Sequence, residues 1–182
     1  MRRRDFTHYL SSILLCAALP VTGQVATART ERAVNWFASA SEDSDGNHAL
    51  VAFDQLGVEH LRYALPSRAH QVLKHPHKPW LLVIGRRPGH YLLVVDINSG
   101  ELVADFQCTV GQHYCGHMQI SADGQRLYTT ENLTRSSEGL IVVRDLYANG
   151  QVFKQFPSGG LGPHQLLLSA DEQYLVVANG GI

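Results

Sequence analysis

The chain has 182 residues, with 15 Lys and Arg against 16 Asp and Glu and a formal net charge of −1. That balance excludes the clustered basic excess a nucleic-acid surface requires. Hydrophobic residues at 45% and charged residues at 17% make a folding composition and exclude a disordered chain.

The first predicted element is an address. Arg2-Arg3-Arg4 and Phe6 form a positive leader, followed by a moderately apolar stretch from Tyr9 to Val21. That stretch is shorter than the roughly 20 apolar residues a membrane span needs. A small-x-small site follows at Ala26-Thr27-Ala28. Residues 1–28 therefore read as a twin-arginine secretory signal cleaved after Ala28, against an uncleaved N-terminal helix as the competing reading. Acylation of Cys16 is disfavoured by bulky Leu15 before it. The expectation is a periplasmic protein with no membrane span after signal removal and no nucleic-acid partner.

Residues 29–182 are predicted to form part of an all-β propeller with four-stranded blades. A partial first blade spans Trp36 to Ala64. Three segments then superpose from their leading histidines, His70, His117 and His164, which stand 47 residues apart twice over. Each runs as apolar strand, polar turn (Pro76 to Lys78, Ala122 to Gly124, Ala170 to Glu172) and second apolar strand. Further alternating runs, His90 to Asp96 and Gly139 to Asp145, lead through Asn98-Ser-Gly100 and Ala148-Asn-Gly150. Those pairs offer the positive backbone angles that tight hairpins need. Four strands in a period of 40-odd residues mark a propeller blade, and no amphipathic helix of useful length follows residue 28. The chain holds about three and a quarter blades, where propellers close with 4–8. This predicts the N-terminal part of a longer propeller, with closure by oligomerisation as the alternative.

Three groups of residues carry candidate chemistry. His70, His117 and His164 begin the innermost strand of successive blades, so their imidazoles can converge near the channel mouth. There they could ligate a metal ion such as iron or copper, or hold a haem propionate. The alternative is a backbone-bonding repeat histidine. Cys108, His113, Cys115 and His117 form a second cluster: a Cys108–Cys115 disulfide, free thiols, and a metal site at His113, Cys115 and His117 remain open readings. Arg86, Arg87, Glu131, Asn132 and Asn179 close the second strand of successive blades. They form either an anion-binding mouth or a solvated loop row. Asp54, Asp96 and Asp145 recur at the end of the third strand, where they are expected to accept backbone bonds from the following turn.

His75-Pro-His-Lys-Pro79, Gly85-Arg-Arg-Pro-Gly89, His113-Tyr-Cys-Gly-His117, Leu127-Tyr-Thr-Thr-Glu-Asn132, Phe156-Pro-Ser-Gly-Gly-Leu-Gly-Pro-His164 and Val177-Ala-Asn-Gly-Gly-Ile182 carry a resemblance. Through them the sequence resembles domain-of-unknown-function family 1513 (DUF1513), Tat-exported propellers related in fold to the quinoprotein amine dehydrogenase β-chain. The resemblance implies seven blades and about twice this length. It also implies a periplasmic protein partner in an iron-uptake system, because relatives are often encoded beside imelysin-type proteins. It transfers no catalytic residue. Cys115 departs from the family pattern, in which an aromatic precedes Gly-His.

The function expected is thus a ligand- or protein-binding accessory. The alternative is a metal- or quinone-linked redox enzyme with a histidine-lined channel. A lactonase-like hydrolase rests on fold analogy alone and lacks an acid–base constellation.

Overall fold

The computed structural model describes residues 35–181. The signal read over 1–28 and its cleavage after Ala28 lie outside the described residues. Every regular element described is a strand, and no helix among these residues is long and apolar enough to cross a membrane.

The strands fall into successive blades. The first holds β1 (Trp36–Glu42), β2 (His48–Asp54) and β3 (Glu59–Leu65). The second holds β4 (Ala69–Lys74), β5 (Trp80–Gly85), β6 (Leu92–Asp96) and β7 (Leu102–Phe106). The third holds β8 (Gln112–Ile120), β9 (Arg126–Leu133), β10 (Glu138–Asp145) and β11 (Val152–Leu161). A fourth begins with β12 (Pro163–Leu168) and β13 (Leu175–Asn179). Strands pair antiparallel in chain order within each sheet. The thirteen strands among the described residues amount to the three and a quarter blades expected. Asp54, Asp96 and Asp145 end β2, β6 and β10, so β1 to β3 occupy the second to fourth places of their blade.

Why the middle strands are apolar on both faces follows from the packing. In β5 and β6, Leu81, Val83, Leu93 and Val95 face the first blade, where they meet Leu50, Ala52, Leu61 and Leu65. The alternate residues Leu82, Ile84, Leu92 and Val94 face the third blade and meet Tyr114, Met118, Ile120 and Leu127. A strand with a blade on either side cannot spare a polar face, so period-2 alternation gives way to a continuous apolar run. The outer strand β11 has solvent on one side and is exposed over most of its length.

The turns show the chemistry their sequences announced. Oδ1 of Asp54 accepts the N–H groups of Leu56 and Val58 at 2.8 and 3.0 Å. Asp96 does the same for Asn98 and Ser99, and Asp145 for Tyr147 and Ala148. Asn149 and Gly150 both take positive φ, 52° and 70°. In the corresponding turn of the second blade only Gly100 does, at 73°.

The turns between the first two strands are also latched from blade to blade. His75 is fully buried. Its Nδ1 accepts the N–H groups of His77 and Lys78 at 3.1 and 3.0 Å, which fixes the proton on Nε2. Nε2–H then donates to the Gly124 carbonyl at 3.0 Å, across to the third blade. His77 Nε2 donates to the Ala122 carbonyl at 2.8 Å, and the Ala122 N–H donates to Glu172 of the fourth blade at 2.5 Å. These bonds run along the face opposite the leading histidines.

Candidate functional site

The innermost strands β4, β8 and β12 lie side by side, with β8 between the other two. Each has a break in its register at the leading histidine. In β4 the pairing shifts between Ala69 and Gln71, in β8 between Tyr114 and Met118, and in β12 between Pro163 and Gln165. A bulge leaves the extra residue unpaired and re-aims its side chain. Here the residues freed are His70, His164 and, in the longer break of β8, Cys115 to His117, and the three histidine rings turn toward one another.

Ring centroids are 4.6 Å apart for His70 and His117, 4.8 Å for His117 and His164, and 6.1 Å for His70 and His164. The Nε2 atoms of His70 and His117 are 3.0 Å apart. At that separation one nitrogen donates and the other accepts, so the two rings share one proton between them. His117 is held further by Thr130, whose Oγ1 accepts the His117 N–H at 3.3 Å and donates to its carbonyl at 3.1 Å. The Met118 N–H donates to Gln71 Oε1 at 2.7 Å, tying β8 to β4 beside the rings.

Gly116 makes the close approach of β8 to His70 feasible. Its φ is +102°, and a Cβ there would lie 2.9–3.0 Å from the Cδ2, Cβ and Cγ atoms of His70. Gly116→Ala is expected to cost about 1–3 kcal/mol of stability from strain and overlap. Chemical denaturation checks the cost. His70 ring NMR signals that no longer respond to titration of His117 check the accompanying displacement.

The histidines are poor bases in this setting. Burial first, then the neighbouring His70 and His164 rings, brings His117 down to about 4. Burial, then His164, Arg86 and Arg68, lowers His70. Burial, then the Gly124 hydrogen bond acting in the opposite sense and the nearby cations, leaves His75 lowered. A folded-state value below the ordinary 6.5 means that the unfolded chain takes up protons the folded chain refuses. The stability is therefore full above about pH 6.5 and is lost as pH falls toward 4. Denaturant midpoints at pH 7.5 and pH 5.0 should differ, the acid sample being less stable by roughly 1 kcal/mol or less per histidine after solvent screening.

Basic groups flank the cluster, and Glu42 lines the same cleft as His70. Arg68 and Arg86 flank His70, and the Arg86 N–H donates to the Arg68 carbonyl at 2.9 Å. Gly89 and Tyr114 exchange backbone bonds at 2.9 Å, which brings the Arg86–Gly89 loop against β8. There Arg87 and His90 act on His113, lowering it together with its burial.

The other residues singled out in the sequence lie elsewhere. Glu131 does not line the mouth. It shares a face of β9 with Leu127 and Thr129, so it points between the second and third blades, fully buried. Its Oε1 accepts from Arg144 at 2.6 Å and from Thr129 Oγ1 at 2.7 Å. Asn132 is likewise fully buried, its amide oxygen accepting from Arg87 at 3.3 Å and its nitrogen donating to the Glu131 carbonyl at 3.2 Å. Asn179 is taken by Ser158, with bonds of 2.7 and 3.1 Å. Arg86 is exposed and Arg87 half-buried.

The expected Cys108–Cys115 disulfide is corrected: both cysteines are free. Cys108 packs on the apolar cluster between the second and third blades, while Cys115 is buried within β8. Burial pushes the Cys115 thiol up to about 12 and raises Cys108 as well. Such thiols stay protonated at neutral pH and are poor nucleophiles for disulfide exchange. His113, Cys115 and His117 are not gathered as a ligand set either. Among the described residues no group of three or more His, Cys, Asp or Glu is arranged to hold a metal ion. The bulges and the flanking Arg68 escaped the sequence reading. Arg68, two residues before the first repeat histidine, was the available signal.

A family model described as "Protein of unknown function (DUF1513)" matches residues 63–182. No curated protein matches the chain. Among solved structures, "Dihydro-heme d1 dehydrogenase NirN in complex with DHE" is similar over 66% of this chain and 27% of its own, at 15% identity and a TM-score of 0.50. A "eukaryotic initiation factor" structure is similar over 79% of this chain and 36% of its own, at 13% identity and a TM-score of 0.47. The chain thus spans about a quarter of the NirN chain's length, and at this identity the likeness extends to the propeller fold alone.

Proposed function

The chain belongs to DUF1513, a family of proteins of unknown function, and from that premise we propose an exported periplasmic propeller that binds a ligand or protein partner at its histidine mouth. The observation that carries this reading is the convergence of His70, His117 and His164, with centroids 4.6–6.1 Å apart. Three innermost strands each give up regular pairing at the same place, and the result is one cluster of imidazoles. A propeller supplies a rigid ring, and its function is set by what converges on the ring's face. A place in iron uptake, beside a periplasmic partner, rests on the family resemblance; the twin-arginine leader supports the compartment.

The second reading is a metal- or quinone-linked redox protein. What favours it is the low proton affinity of His117, which leaves a neutral imidazole, the form that ligates metals. One measurement separates the two: metal content of the exported full-length protein, compared with His117→Ala and His164→Ala. The binding reading expects no stoichiometric metal in any of them. Stoichiometric iron or copper in the wild type, lost in both variants, would move the assignment to redox chemistry.

A further inference from the structure

We propose that the histidine mouth binds an oxyanion, the carboxylate or phosphate group of a small ligand, between the imidazoles and the Arg68–Arg86 pair. This deepens the binding reading above and rests on it. His70 stands between His117 and His164, shares a cleft with Arg68, and has Arg86 beside it. One carboxylate, Glu42, shares the cleft with Arg68 and His70 and has a histidine partner of its own. Glu131 is buried against Arg144, and Glu42 of β1 sits 3.7 Å from His48 Nδ1 of β2. Two guanidinium groups and three imidazoles against Glu42 leave a basic excess among the described residues, and such an excess attracts an anion.

The same geometry disfavours a cation. His70 and His117 Nε2 atoms already share a proton at 3.0 Å, and Arg68 and Arg86 repel a metal ion arriving there. An anion has the opposite effect on the rings, since negative charge within about 4–6 Å favours imidazolium. Binding then draws a proton onto the cluster. By linkage the affinity rises as pH falls, by up to about tenfold per pH unit for one proton taken up. A metal ion would displace protons and bind more tightly as pH rises.

The test is titration calorimetry of the full chain with citrate and, separately, inorganic phosphate, at pH 5.5 and 7.5. Repeating it in buffers of different ionisation enthalpy counts the proton. Expected is binding about tenfold or more tighter at pH 5.5, with net proton uptake. Arg68→Gln with Arg86→Gln should lose at least tenfold; both side chains are exposed, so unchanged circular dichroism will show the fold intact. His117→Gln should abolish the proton uptake. Response to citrate alone identifies a carboxylate ligand, and response to phosphate alone a phosphate ligand. Absence of binding by either anion, or binding that ignores both pH and the arginine changes, overturns the inference. In that case the broader binding reading is judged separately by the metal content. Copper or iron affinity that strengthens with pH and depends on His117 would overturn both.

Discussion

Arg144→Met is expected to lower the unfolding free energy by about 3–5 kcal/mol, because it leaves the Glu131 carboxylate charged and unpaired in a dry interblade core. Both side chains are at most 2% exposed, and their 2.6 Å bond is flanked by Thr129 and by the Tyr114 ring, 5.6 Å from the guanidinium carbon. The pair is also imperfectly satisfied. Neither Glu131 Oε2 nor Arg144 Nε has a hydrogen-bond partner among the described residues. Desolvation of the two charges is therefore only partly offset by their attraction. It follows that Glu131→Leu combined with Arg144→Met should recover most of the loss and can equal the parent chain. Urea denaturation of the two single variants and the double variant measures the coupling directly. Additive losses in the double variant would show that the two residues do not act as a pair.

His75→Ala is the second large effect, about 2–4 kcal/mol of destabilisation. The ring is a three-bond junction: two N–H groups of its own turn reach Nδ1, and Nε2–H reaches the third blade. Its removal would strand the N–H groups of His77 and Lys78 and the Gly124 carbonyl. It would also empty the space between Trp80 and Tyr147, whose rings sit 5.3 and 6.2 Å from it. Gly124 is shaped to this arrangement. At φ +74° it takes a conformation favoured for glycine, and a Cβ there would run into the His75 ring. The loss should be visible as a lower denaturation midpoint, together with faster amide exchange at Gly124 and Lys78. A variant as stable as the parent would mean that the turn-to-turn latch contributes nothing.

The repeat was legible because a blade writes its period into the chain. Apolar runs, Asp at the third strand's end and the Asn-Gly turn each have one physical cause, and each recurs. The leading histidines were legible for the same reason, and so was their convergence. The means of convergence was not. A bulge adds only one or two residues to a strand, and His70, His117 and His164 look like ordinary members of an alternating strand until the partner strand is in view. Glu131 was misplaced although its signal was present. Positions 127, 129 and 131 share one face of β9, and Leu127 marks that face as core. The disulfide expectation leaned on compartment and an even cysteine count, which say nothing of where the two thiols point. The latch at His75 was hidden for another reason: its partner lies 49 residues away, in a turn whose own sequence shows only hairpin chemistry.

Three histidines, spaced 47 residues apart in sequence, act as one coupled site. Nitrogen-detected NMR of the imidazoles, followed from pH 7.5 to 3.5 in the parent and in His70→Ala, tests it. The prediction is a His117 ring that protonates near pH 4 in the parent, donating to or accepting from His70, and that becomes more basic when His70 is removed. A His117 that titrates near the ordinary 6.5 and is indifferent to His70 would contradict it.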